Sequence, residues 1–129
     1  MPDEKPLIAI VDDDDPMLEA TGSLVRSLGY AVEAFSSAKA FLDSPRLGHA
    51  ACLIADVNMP EMTGLELQHH LVRLGRRIPT ILFTAYPNER VRSEAFSAGV
   101  KFYLAKPFGE EELLKCIRSC LDNRGEAQP

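Results

Sequence analysis

Tryptophan is absent from the 129 residues, and cysteine occurs only three times, at positions 52, 116 and 120. An odd number of cysteines so spaced does not make a disulfide framework, and a reducing compartment suits them better. Positive charge is the scarcer sign, with 14 Lys and Arg against 19 Asp and Glu and a formal net charge of -5. Such a chain lacks the basic surface that sequence-independent nucleic-acid binding requires. No apolar run approaches the roughly 20 residues that cross a bilayer. The opening "MPDEKPLIAIV" is acidic with a short apolar run, unlike a signal or transit peptide. No internal repeat or low-complexity stretch occurs. These exclusions leave an expected cytoplasmic protein of one domain, 1–129, with a core over about 6–122 and short disordered ends.

What is present is an ordinary globular composition, 46% hydrophobic and 26% charged. Apolar bursts alternate with helical patterns. "LIAIV" (7–11), "YAVEAF" (30–35), "ACLIAD" (51–56), "PTILFT" (79–84) and "VKFYLAK" (100–106) read as strands β1 to β5, the second near a sheet edge. Runs of four to six consecutive apolar residues, rich in β-branched types, are typical of strands buried on both faces.

Between and after them lie five helical stretches. The first, α1, is "PMLEATGSLVRSLG" (16–29), with Pro16 in its first turn and Gly29 as C-terminal cap. Next comes α2, "SSAKAFLDS" (36–44), opened by a capping serine and ended by Pro45. "LELQHHLVRLG" (65–75) is α3, with Leu65, Leu67, Leu71, Val72 and Leu74 as its apolar face. "PNERVRSEAFSAG" (87–99), α4, has only a thin apolar seam of Val91, Ala95, Phe96 and Ala98. "PFGEEELLKCIRSCLDN" (107–123), α5, puts acids in its first turn, and the tail from 124 is expected to fray. Strict strand–helix alternation predicts an α/β three-layer fold on a parallel sheet. Sites in such folds lie beyond the carboxyl ends of the strands, where strand order reverses.

The polar residues at those ends form one constellation. Asp12 and Asp13 follow the first strand, Asp56 closes the third, Thr84 the fourth and Lys106 the fifth. Three carboxylates brought together repel, and a cation offsets the repulsion. Oxygen donors without clustered Cys or His favour a hard divalent ion, Mg²⁺ or Mn²⁺, over zinc. A lysine and a hydroxyl beside the metal suit an oxygen-rich anion such as a phosphoryl group.

In this order the acidic doublet of "IVDD", the segment "DVNMPEMTG", Thr84-Ala85 and Lys106-Pro107-Phe108 resemble the receiver domain of two-component response regulators, the CheY-like fold, over about residues 6–122. Each mark alone is weak; all of them in order at strand ends are highly specific. The resemblance implies a flavodoxin-like, five-stranded parallel sheet of order 2-1-3-4-5 with five helices. It implies that Asp56 accepts a phosphoryl group from a sensor histidine kinase or phosphotransfer protein, as an acyl phosphate. By the same resemblance Asp12, Asp13, Asp56 and the Asn58 backbone carbonyl hold the metal, and Lys106 pairs with the phosphoryl oxygens. Thr84 becomes the switch hydroxyl and Tyr103 the aromatic that follows it. Asn58 and Tyr86 tune the lifetime of the acyl phosphate, a bulky Tyr86 slowing hydrolysis. The Lys106-Pro107 bond is expected cis, which X-Pro permits.

The implied protein is a signalling switch rather than a turnover enzyme. Its α4-β5-α5 surface controls an output partner or domain, with a homodimer through that surface as one form. Neither direct nucleic-acid contact by this chain nor membrane contact is expected. The run 23–44, "SLVRSLGYAVEAFSSAKAFLDS", bears a softer resemblance to receivers of FixJ-type transcription regulators. Two rivals of other classes stand beside this reading. One is an Asp-nucleophile phosphatase of the haloacid dehalogenase type, which would want a second Asp where Asn58 stands. The other is a pure interaction module of the same fold. Elsewhere the sequence is plainer. Asp14 and Asp15 enter the first turn of α1, His49, His69 and His70 lie on the surface, and Cys116 and Cys120 serve packing.

Overall fold

The computed structural model describes residues 5–126; residues 1–4 and 127–129, where part of the expected disordered ends falls, lie outside them. The strands are β1 (Leu7–Val11), β2 (Ala31–Phe35), β3 (Cys52–Asp56), β4 (Thr80–Thr84) and β5 (Phe102–Ala105). The α-helices are α1 (Asp15–Ser27), α2 (Ala38–Leu42), α3 (Gly64–Arg73), α4 (Glu89–Ser97) and α5 (Glu110–Glu126), with a short 3-10 turn at Leu47–His49. All strand pairs are parallel, in the order β2-β1-β3-β4-β5. Every residue of β1, β3 and β4 is buried, while β2 and β5 at the two edges are mostly half-buried.

Helices cover both faces. Phe41, Leu67, Leu71 and Ala95 from α2, α3 and α4 pack on Ala9, Val11, Leu53, Ala55 and Leu82. On the other face Leu18 and Val25 of α1 join Leu113, Cys116, Ile117 and Cys120 of α5 over Ile8, Ile10, Ile54, Ile81 and Phe83. The alternation along each strand divides these two sets, as the twofold period of a strand requires.

Local signals set the helix starts. Asp14 caps α1 by accepting from the Met17 N–H at 3.2 Å, and Ser37 caps α2 through the Ala40 N–H at 3.0 Å. Thr63 and Glu66 form a reciprocal capping box on α3, and Asn88 accepts from the Val91 N–H to start α4. Gly29, at φ 101°, takes the left-handed conformation after α1 that a side chain would resist.

The structure departs from the sequence reading at several element boundaries and on one helix face. α2 ends at Leu42, before Pro45, capped at Asp43. β5 begins at Phe102, because Val100 still bonds back to the Ala95 carbonyl of α4. α5 begins at Glu110; Pro107 and Phe108 belong to a turn, and Phe108 rests edge-on against Phe83. Val72 and Leu74 do not join the apolar face of α3 but are 56% and 53% exposed. Val72 stands one residue, about 100°, off the line of Leu67 and Leu71, and Leu74 is already the C-cap.

Candidate functional site

The strand order reverses between β1 and β3, and the carboxyl ends of those strands carry the acids. Asp12 is fully buried immediately after β1, Asp56 is 6% exposed as the last residue of β3, and Asp13 is exposed beside them. One carboxylate oxygen from each of the three lies within 4.8 Å of the other two.

The site is held by main-chain bonds on all sides. Asp12 N–H donates to the Phe35 carbonyl, Val57 N–H to Phe83 and Lys106 N–H to Thr84, locking the ends of β1, β3 and β5 to their neighbours. Gly64, the first residue of α3, lies against the main chain of Asp56. A Cβ there would stand 2.5 Å from the Asp56 carbonyl oxygen, so only glycine lets the helix approach so closely.

Each carboxylate has a partly used set of partners. Asp12 Oδ1 accepts from the Asp14 N–H at 3.0 Å, while its Oδ2 is buried with no hydrogen bond. Asp56 Oδ1 accepts from the Asn58 N–H at 3.2 Å. Lys106 Nζ sits between the two acids, 3.7 Å from Asp12 Oδ2 and 3.6 Å from Asp56 Oδ2, and 4.5 Å above the centre of the Phe83 ring. Burial pushes the Asp12 carboxyl up to about 6; the Asp14 N–H and Lys106 oppose this, and Asp56 adds to it.

Formally, three negative charges face one positive charge, leaving two uncompensated. A buried oxygen without a hydrogen bond, beside two further carboxylates, is the donor chemistry of a hard divalent cation. Asp12, Asp13 and Asp56 therefore fit such an ion.

Thr84, fully buried at the end of β4, is not bonded to the acids. Its Oγ1 accepts from Asn58 Nδ2 at 2.7 Å and from the Tyr86 N–H at 3.0 Å, leaving its own proton to donate. Tyr103 is half-buried on β5, and its hydroxyl accepts from the Asn88 N–H at 3.2 Å, joining β5 to the start of α4. The Tyr86 side chain is 77% exposed. The Lys106-Pro107 peptide is cis.

Asp12, Asp13, Asp56 and Lys106 thus converge directly, Asn58 and Thr84 form a second pair beside them, and Tyr103 and Tyr86 lie further out. Sequence reasoning missed that the Asn58 side chain holds the Thr84 hydroxyl, and that Phe83 floors the Lys106 ammonium. No spacing rule signals either, since both depend on side-chain direction between strands.

The chain matches the response regulator receiver domain over residues 8–118. It is 46% identical over 121 residues to the response regulator protein TodT of Pseudomonas putida, covering 94% of this chain and 53% of that one. It is 33% identical to the transcriptional regulatory protein FixJ of Azorhizobium caulinodans, covering 98% of this chain and 59% of the relative. The crystal structure of FixJ-N superposes with a TM-score of 0.84 at 28% identity, over 92% of this chain and 95% of that one. The chain belongs to the response regulator receiver domain family, with the CheY-like fold. It spans a little over half the length of these curated relatives. Response regulators receive phosphate from histidine kinases, and receiver domains generally bind Mg²⁺ at an acidic pocket. Among the described residues no helix is long and apolar enough to cross a membrane.

Proposed function

We propose that this chain is a single receiver module in which Asp56 accepts a phosphoryl group from a histidine kinase or phosphotransfer protein in the cytoplasm. The observation that carries the reading is the convergence of Asp12, Asp13, Asp56 and Lys106, with a free-proton hydroxyl at Thr84 one strand away. Asp12, Asp13, Asp56 and the Asn58 carbonyl would hold Mg²⁺ or Mn²⁺, which supplies charge neutralisation for the incoming phosphoryl oxygens.

The chain's own residues do the rest. Asp56 offers a carboxylate oxygen as nucleophile, and Gly64 and the Asn58 N–H fix its position. Lys106, already 3.6 Å from that carboxylate, is placed to bind a phosphoryl oxygen there. Thr84 donates its proton to another oxygen after leaving the Asn58 amide. That move draws on the β4–α4 loop through the Tyr86 N–H, and on α4 through Tyr103 and Asn88. The result is a shift between two states of the α4-β5-α5 face, which addresses an output partner, an output domain or a second copy. Asn58 carries an amide and cannot serve as the general acid that an Asp-nucleophile phosphatase places at this position.

The test is labelling with acetyl phosphate or a histidine kinase in the presence of Mg²⁺. Wild type should take up one phosphoryl group and Asp56→Asn none. Retained labelling in Asp56→Asn would overturn the assignment.

A further inference from the structure

Gln68 stands on α3 beside the buried Leu67 and Leu71, itself only 5% exposed. Its Nε2 donates to the carbonyl of Ala98, the C-cap residue of α4, at 2.9 Å and 30 residues away in the chain. Its Oε1 is buried with no hydrogen bond. An amide so placed is a poor way to fill space, because the unsatisfied oxygen has lost its hydration, and a methionine of similar length would bury no such group. What the amide gains is the bond to Ala98, one of the carbonyls that a helix end leaves without an intrahelical partner. Among the described residues no other hydrogen bond joins α3 to α4 or its cap.

The two helices that this bond joins are unequally held. Leu67 and Leu71 root α3 in the core, Gly64 sets its start against the Asp56 main chain, and Thr63 and Glu66 cap it. Along α4 only Ala95 is fully buried, so the position of that helix depends on what holds its ends. Its start is tied to Tyr103 through the Asn88 N–H, and the loop before it is tied to Thr84 through the Tyr86 N–H. Its end is tied to α3 by Gln68. Beyond that bond Gly99 turns at φ 97°, the Val100 N–H returns to the Ala95 carbonyl, and the Lys101 N–H donates to Thr80 at the start of β4. One end of α4 therefore leads to the acidic pocket and the other to fixed structure.

We propose that Gln68 is a positioning residue that pins the C-terminal end of α4 to α3, so that a displacement begun at Thr84 swings the helix about Ala98 instead of moving it bodily. This rests on the reading of Asp56 as phosphoacceptor and of Thr84 as the hydroxyl that moves. With the far end held, a pull on the β4–α4 loop becomes a change of tilt. The side chains near the start of the helix, Glu89 and Arg92 among them, travel furthest, and those beside Ala98 stay. Without the pin the same pull spreads along α4, and its last turn loosens. Gln68 makes no hydrogen bond to the acids, to Thr84 or to Lys106, so it acts through α4 alone and leaves phosphoryl uptake untouched.

The test is amide exchange of the full chain, read residue by residue, with and without acetyl phosphate and Mg²⁺. In wild type, labelling should change exchange over Val91–Ser93 and leave Phe96–Val100 close to its unlabelled values. Gln68→Met fills the same space without the donor. Before labelling it should speed exchange over Phe96–Val100 by about 2- to 10-fold, the factor that one hydrogen bond makes in a local opening, and leave α3 and Val91–Ser93 unchanged. It should take up label as fully as wild type, and on labelling the change should now reach Phe96–Val100. Gln68→Leu gives the same readout should the methionine variant not fold. Exchange over Phe96–Val100 that ignores the substitution, exchange that quickens equally in α3, or labelled wild type that changes equally at both ends of α4 would each overturn the pin. A wild type that takes up no label would instead overturn the phosphoacceptor reading, and the unlabelled proteins still decide whether Gln68 holds the end of α4.

Discussion

Asp12 bears a charge that the fold penalises. Its carboxyl is raised from 3.8 to about 6, chiefly by burial. A raised carboxylate means that the folded chain binds the proton more tightly than the unfolded chain does, so this group stabilises the fold below about pH 4. The contribution is lost as pH rises through about 6. Two pKa units correspond to roughly 3 kcal/mol. Asp12→Asn should therefore raise the melting temperature at pH 7 in chelator by several degrees and leave it almost unchanged at pH 4. Mg²⁺ should raise the melting temperature of wild type at pH 7, while the variant loses most of that gain. Thermal unfolding across pH 4–8, with and without Mg²⁺, reads all of these, and an Asp12→Asn protein no more stable than wild type at pH 7 in chelator would contradict the argument.

Tyr86 poses a different question at the same scale. Its N–H is tied to Thr84 while its ring stands 77% exposed. A ring that folds over the phosphorylated site excludes attacking water. Tyr86→Ala should then lose label several-fold faster after excess acetyl phosphate is removed. Equal decay in the two proteins would remove the shielding role.

At the scale of elements, α4 is the least anchored helix. Only Ala95 is fully buried along it, Val91 is half-buried and Phe96 is 39% exposed. Its start is held instead by polar ties, Asn88 to Val91 and Asn88 N–H to the Tyr103 hydroxyl. Tyr103→Phe removes that second tie and leaves the ring in place, so it should speed amide exchange over Asn88–Arg92 several-fold with little effect on α3. Exchange unchanged in α4 would show that the tyrosine hydroxyl does not hold the helix.

This thin seam was readable from the sequence, because four apolar residues spread over thirteen cannot make a wide stripe. Asp12, Asp56, Thr84 and Lys106 were readable for a related reason: in a parallel sheet every strand end faces the same edge. What escaped the sequence depends on contacts between elements. The pairing of Asn58 with Thr84 spans 26 residues and needs the β3–β4 register. The exposure of Val72 follows from where the axis of α3 lies, which helical periodicity alone cannot fix.

At the scale of the whole molecule, the question is how a charge change in the acidic pocket reaches another chain. The path available runs from Thr84 through the β4–α4 loop to α4, and α4 shares a face with β5 and α5. On α4 Phe96 is partly exposed, with the Arg92 guanidinium 5.0 Å from its ring centre, an aromatic surface open to an apolar partner. With a net charge of -5, two copies meet only where such a contact outweighs general repulsion. A second copy on the α4-β5-α5 face should therefore bind only when the phosphorylated state presents α4 correctly. Acetyl phosphate with Mg²⁺ should shift sedimentation from monomer toward dimer in wild type, and moderate salt should favour the shift. Phe96→Asp, which adds a carboxylate far from the acidic pocket, should label as fully as wild type yet remain monomeric. Dimers of the Phe96→Asp protein, or a fully labelled wild type that stays monomeric, would place the output of this receiver on another surface.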